Sequence, residues 1–131
     1  MEAKARHYLK AVAAAGELFN IHFRIHIAEQ RLQEGIQEGT AEERMERLRQ
    51  LGDEQNRVMA DFRSARTAAA IVLTEEATAV MDAYQNSSRS TDDPEFHKKG
   101  MEALNHVYSE LRRLARHELK ISDAITKDIN R

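Results

Sequence analysis

The scarcity of helix-breaking residues constrains this chain more than any other feature of its sequence. Its 131 residues contain a single proline, Pro94, and five glycines. These two residue types most disfavour a helix interior, whereas alanine, glutamate, arginine and leucine, which are abundant here, favour it. The sequence therefore predicts an all-α fold. A chain of this length usually forms one core, so residues 1–131 are predicted to be a single helical-bundle domain.

Two polar breaks divide the chain into three predicted helices. At the first, Gly39 suits the left-handed position that ends a helix, and Thr40 with Glu43 forms a capping box that begins the next one. At the second, a polar loop ends in Asp93, a favoured N-cap, and Pro94, a favoured first helical residue. Short connections make neighbouring helices antiparallel. We predict an elongated antiparallel bundle of three long helices, at about 3–38, 41–86 and 94–129.

A weaker break lies inside the second predicted helix. Thr74 is followed by Glu75 and Glu76, a pattern typical of an N-cap and an acidic first turn. The sequence leaves open whether the long helix continues through residues 73–75 or kinks and restarts there.

The first predicted helix is apolar on two faces. Five residues spaced by three or four positions form a seam that should face the next helix: Leu18, Ile21, Ile25, Ala28 and Leu32. Phe19, Phe23 and Ile27 fall on nearly the opposite side. Such a helix should be buried on several sides, either within its own bundle or between two chains. We predict a protein interface at Phe19, Phe23 and Ile27, the alternative being that the last helix covers this face.

Residues 21–27 also fit a β-strand, because apolar and polar residues alternate there without an exception. We favour a helix, since the flanking residues are helical in character. A lone strand would also lack a partner for its backbone hydrogen bonds.

Three residues of the first helix have the spacing of helical metal ligands. His22 and His26 lie four positions apart, and Glu29 follows three positions later. A site would need further ligands from another helix, and the sequence names none, so we favour both imidazoles bordering the apolar seam.

The chain also has no cysteine, phosphate-binding glycine loop or nucleophile elbow. We predict no catalytic residue, metal or cofactor, and we favour a non-enzyme.

The densest basic cluster lies near the end of the chain, at Arg112, Arg113, Arg116, His117 and Lys120. Arg63 and Arg66 add two charges on the middle helix. Nearby acidic residues and the lack of an interleaved aromatic residue favour a solvated charged face. The spacing of Arg112 and His117 is nevertheless similar to that of HEPN ribonucleases. This resemblance implies an RNA-cleaving pair acting across a dimer interface.

The overall charge and hydropathy narrow the function further. A formal net charge of -2 gives no general attraction to nucleic acid or anionic lipid. We find no signal peptide and no apolar stretch of membrane-spanning length, so we expect a cytoplasmic protein. These observations favour a non-catalytic helical bundle that binds itself or another protein, with a homo-oligomer expected. The alternative is an RNA-binding or HEPN-like ribonuclease bundle using Arg112 and His117.

Overall fold

The computed structural model describes residues 2–36, 38–85 and 94–129, with side chains from residue 3 to residue 120. It contains four helices: α1 (Glu2–Gln33), α2 (Ala41–Val72), α3 (Glu75–Gln85) and α4 (Phe96–Ile129). The described residues form no strand, and residues 21–27 lie within α1. The all-α prediction is therefore confirmed. None of the described helices has a stretch long and apolar enough to cross a membrane.

The helices pack in a closed ring. Each helix contacts the next one along the chain, and α4 returns to contact α1. His22 of α1 lies beside His97 near the start of α4, whereas Lys4 lies 3.8 Å from Glu118 near its end. The two helices are therefore antiparallel, as the predicted bundle requires.

The predicted weak break near residues 73–75 is a full reversal of the chain. Leu73 is extended, with φ -93° and ψ 170°, and the Thr74 hydroxyl accepts a hydrogen bond from a first-turn amide of α3 at 3.4 Å. The rings of Phe62 and Tyr84 then lie 5.4 Å apart. A continuous helix would separate them by about 33 Å. The segment predicted as one helix over 41–86 is thus an antiparallel pair, α2 and α3.

The end of α1 also differs from the prediction, since the helix stops at Gln33 rather than near residue 38. Gly35 adopts the left-handed conformation, with φ 78°, and the Ile36 amide donates to the Arg31 carbonyl at 2.9 Å. This pattern is a Schellman motif, which ends a helix at its glycine. Gly39 is also left-handed, with φ 80°, but it lies within the connection to α2.

The predicted start of α2 is confirmed, whereas α4 begins two residues later than predicted. The Thr40 hydroxyl accepts a hydrogen bond from the Glu43 amide at 3.1 Å. Pro94 lies in a turn before the first residue of α4, Phe96. The predicted N-cap Asp93 and the rest of the predicted loop over 86–93 lie outside the described residues.

Burial divides the molecule into two parts. Along α1 the last buried side chain is Ile25, and along α2 the first is Val58. The described residues between them, 26–36 and 38–57, include no buried side chain. We call residues 26–57 the arm and the remaining four-helix part the body. The largest buried apolar side chains all belong to the body: Tyr8, Leu18, Ile21, Phe62, Met81, Tyr84, Leu104, Val107 and Leu111.

Candidate interaction surfaces

The predicted interface residues lie on an apolar stripe along α1. We call it the α1 stripe, and its members are Leu9, Val12, Gly16, Phe19, Phe23 and Ile27. Phe19 and Phe23 are 37% and 46% exposed, and Ile27 is half-buried. Phe19 borders α4, whereas Ile27 borders α2. Within one chain, α4 therefore borders the predicted face without covering it.

A cavity of about 210 Å³ opens beside the α1 stripe, between α1 and α4. Its lining consists of Ala15, Gly16, Phe19, Leu104, Asn105 and Tyr108. A Cβ atom built on Gly16 would meet nothing within 4 Å. One face of α1 thus presents exposed aromatic rings next to a surface depression.

A second cavity, of about 260 Å³, lies in the arm, and we call it the arm groove. Six of its lining residues, which we call the floor, are apolar: Ile27, Ala28, Leu32, Ile36, Leu48 and Leu51. The other lining residues, which we call the rim, are four arginines, Arg24, Arg31, Arg44 and Arg47, and the carboxylate of Glu38. All of these residues come from α1, α2 or the connection between them. The groove is therefore an apolar surface between two helices, inside a positively charged rim.

Each of the four rim arginines has a polar contact within the hairpin of α1 and α2. Arg44 donates to the Gly39 carbonyl at 2.7 Å, and Arg47 donates to the Glu38 carbonyl at 2.6 Å. The other two rim arginines meet carboxylates: Arg24 donates to Glu54 at 2.9 Å, and Arg31 lies 3.9 Å from Glu38. Arg44 and Arg47 each use one nitrogen in these contacts. Since a guanidinium has five N–H donors, both side chains have further donors for another acceptor.

His22 is fully buried where α1, α3 and α4 meet. Its Nε2 lies 3.0 Å from the Tyr84 hydroxyl, and its Nδ1 lies 2.9 Å from Nδ1 of His97. His97 Nε2 in turn lies 3.6 Å from a carboxylate oxygen of Glu29. A bond between two imidazole nitrogens requires one ring to donate and the other to accept. His22 is therefore part of a polar network inside the body.

The structure does not bring His22, His26 and Glu29 together as a ligand set. Both ring nitrogens of His22 face other side chains, and Glu29 contacts His97 instead. Across the described part of the chain, no group of three or more His, Cys, Asp or Glu side chains is placed to hold a metal ion.

Part of the basic cluster is neutralised by carboxylates. Arg113 donates to Glu110 at 2.8 Å and to Glu76 of α3 at 3.0 Å. The hydrogen bond to Glu110 is the main cause of the raised pKa of Arg113, and the same bond lowers the pKa of Glu110. On the middle helices, Arg66 donates to both oxygens of Asp82, which lowers the pKa of that carboxyl.

Arg112 has an aromatic neighbour that the sequence analysis overlooked, since its guanidinium lies 5.4 Å from the Tyr108 ring centre. Arg112 and His117 are both exposed on α4. Five positions along a helix correspond to a rotation of about 140°, so the two side chains leave the helix in different directions. A paired role in RNA cleavage stays a prediction.

No protein family, curated protein or solved structure matches the chain. The surfaces themselves therefore carry the functional argument.

Two features of these surfaces were not predicted from the sequence. The arm groove had a visible signal, because Leu48 and Leu51 on α2 match Leu32 and Ile36 on α1 in a hairpin. The His22 network had none, since its described partners lie 62 and 75 residues away.

Proposed function

We propose that the protein acts without catalysis, through protein–protein contacts, and that two copies associate through the α1 stripe. The observation that carries this proposal is the position of Phe19 and Phe23. Both rings are exposed on the same face as the depression over Gly16. Exposed apolar groups beside a surface depression are typical of a contact surface.

The spacing along the α1 stripe is self-complementary. When two identical helices pack antiparallel about a two-fold axis, each residue faces a residue that lies equally far from the axis on the other side. The residue numbers of every facing pair therefore add up to the same value. An axis between positions 19 and 20 places Phe23 opposite Gly16 of the partner subunit. The same axis places Ile27 opposite Val12 of the partner subunit. A phenylalanine of the stripe thus faces its glycine, a second pair is aliphatic, and the two Phe19 rings lie close to the axis.

The expected dimer is weak and reversible. Complete burial of a phenylalanine side chain contributes about 1.5 to 3 kcal/mol. Phe19 and Phe23 are already more than half buried within one chain, so each adds about 1 kcal/mol on association. Gains of this size support an equilibrium between monomer and dimer that depends on protein concentration.

Sedimentation equilibrium over a concentration series tests the proposal. We expect the unmodified chain to dimerise as its concentration rises, and Phe23→Asp to stay monomeric with unchanged helical circular dichroism. Ile71→Asp is the matched control, because Ile71 is 85% exposed on α2 and lies off the stripe. It should dimerise like the unmodified chain.

A second variant tests the depression itself. Gly16→Leu places a side chain in open space and improves helix propensity, so the fold should be retained. Because the new side chain occupies the position that receives Phe23 of the partner subunit, it should weaken dimerisation about tenfold or more. A chain that stays monomeric up to ~1 mM would contradict self-association.

A further inference from the structure

Within residues 2–36, 38–85 and 94–129, the arm lacks the third helix that completes the same helix pair in the body. In the body, α1 and α2 are joined by α3 and α4 around a buried core. In the arm, the residues that line the groove come from α1, α2 and their connection. Leu32, Ile36 and Leu48 are each at least 40% exposed there. The arm groove thus lies between two helices, and its apolar residues are exposed on the surface.

The described part of α4 extends in the direction opposite to the arm groove. It begins at Phe96, beside His22 and near Glu29, and continues towards the other end of the body, where Glu118 meets Lys4. The last helix of the same chain therefore does not supply the missing third helix.

The charge of the rim argues against a second copy in the arm groove. Four arginines and one carboxylate line the groove. A two-fold pairing of groove against groove would bring two such sets of arginines together, and like charges facing each other disfavour association. The rim instead matches an occupant that carries carboxylates beside an apolar face.

We propose that the arm groove binds an acidic amphipathic helix of a partner protein. The apolar face of that helix packs on Leu32, Ile36 and Leu48, as a third helix packs on a hairpin. Its carboxylates reach Arg44 and Arg47, which have further N–H donors beyond their bonds to the connection. The arm portion of α2, residues 41–57, is about 25 Å long, which matches a bound helix of about 17 residues.

This binding goes beyond self-association and uses a different surface, which meets the α1 stripe at Ile27. A designed probe tests it directly. One fluorescein-labelled 17-residue peptide carries leucines at helical spacing and glutamates on both flanks, and a matched peptide replaces each glutamate with lysine. Fluorescence anisotropy with the full chain should show the glutamate peptide binding at least about tenfold more tightly than the lysine peptide. Added salt should weaken that binding.

Two sets of variants locate the binding. Arg44→Glu combined with Arg47→Glu should weaken the glutamate peptide about tenfold or more, whereas Arg63→Glu, on the exposed surface of the body, should change it less than about twofold. Since Arg44 and Arg47 also hold the connection, Leu48→Asp provides a test independent of those contacts. It should abolish binding, and Ile71→Asp should not. Circular dichroism confirms that each variant is folded.

Three outcomes would overturn the proposal. These are equal affinity for the two peptides, binding unchanged by Leu48→Asp, and displacement of the glutamate peptide by a single-stranded RNA oligonucleotide. The last result would show a general anion site. Repeating the titration with Phe23→Asp separates this proposal from self-association, because the groove should bind the peptide whether or not the chain dimerises.

Discussion

The body and the arm are built on the same pair of helices, yet among the residues that the structure describes the buried core lies in the body. Leu18 and Leu32 occupy the same seam of α1, but Leu18 is fully buried and Leu32 is 44% exposed. The difference arises from α3 and α4, which pack on the body. Helical periodicity thus identifies the residues that face a neighbour, and the topology of the rest of the chain determines whether that neighbour is present.

The largest expected effect comes from making one substitution in both regions. Leu18→Ala should lower the free energy of unfolding by about 2 to 5 kcal/mol, because it leaves a cavity in a packed core. Leu32→Ala should cost less than about 1 kcal/mol, because its side chain is already partly in water. Urea denaturation measures both values. Equal losses would show that the arm is covered in solution.

The next comparison concerns polar contacts. His22→Leu removes hydrogen bonds at 2.9 and 3.0 Å inside the body, and we expect a loss of about 2 to 3 kcal/mol. Arg24→Leu breaks the exposed pair between Arg24, next to the arm, and Glu54 of the arm, and a loss below about 1 kcal/mol is expected. Thermal unfolding at neutral pH compares the two. A nearly neutral His22→Leu would mean that the network adds nothing to stability.

A pair of glycines gives effects of opposite sign. A Cβ on Gly100 would lie 3.0 Å from the ring of His22, which is buried and hydrogen-bonded and so cannot shift freely. Gly100→Ala should therefore destabilise the chain by about 1 kcal/mol, despite its gain in helix propensity. Gly52→Ala meets nothing within 4 Å and should stabilise it by about 0.5 to 1 kcal/mol. Chemical denaturation of both variants gives the signs, and stabilisation by Gly100→Ala would contradict the tight contact.

Local features of the fold could be predicted from the sequence, whereas features that depend on contacts between distant residues could not. The capping box at Thr40 and Glu43 is local, so four residues were enough to identify it. Gly35 and Gly39 both adopt left-handed conformations, and local sequence alone did not show which one ends α1. The reversal at Leu73 depends on contacts that join residues far apart in sequence, such as the pair formed by Phe62 and Tyr84.

The candidate surfaces follow the same rule. The α1 stripe could be predicted, because Phe19 and Phe23 lie on one helix with regular spacing. The apolar residues of the arm groove could be matched between the two helices of the hairpin, but the exposure of the groove could not be predicted, because it depends on where α3 and α4 begin and in which direction they run. A hairpin with the same residues would have a closed seam if a third helix continued along the arm.

The smallest expected effect is a difference in how the free energy of unfolding depends on pH. It compares an ion pair of the body, Arg66 with Asp82, with an ion pair of the arm, Arg49 with Asp53. Arg66 donates to both oxygens of Asp82 and holds the pKa of this carboxyl below its ordinary value, mainly through those hydrogen bonds. A lowered pKa in the folded state stabilises the fold above the ordinary carboxyl pKa of about 3.9. That stabilisation is lost as the pH falls through the lowered value.

Asp82→Asn should therefore cost about 0.5 to 1 kcal/mol at pH 7, since both side chains of the pair are about one-third exposed, and progressively less as the pH falls below about 4. Asp53→Asn is the control in the arm, where Asp53 meets Arg49 at 3.0 Å with both side chains largely exposed. Urea denaturation of each variant from pH 7 to about pH 3 gives the comparison. A difference between Asp82→Asn and the unmodified chain that grows in acid would reverse the sign and show that Asp82 is not stabilised as a carboxylate. Equal behaviour of the two variants would mean that the α2–α3 pair is no better protected from water than the arm.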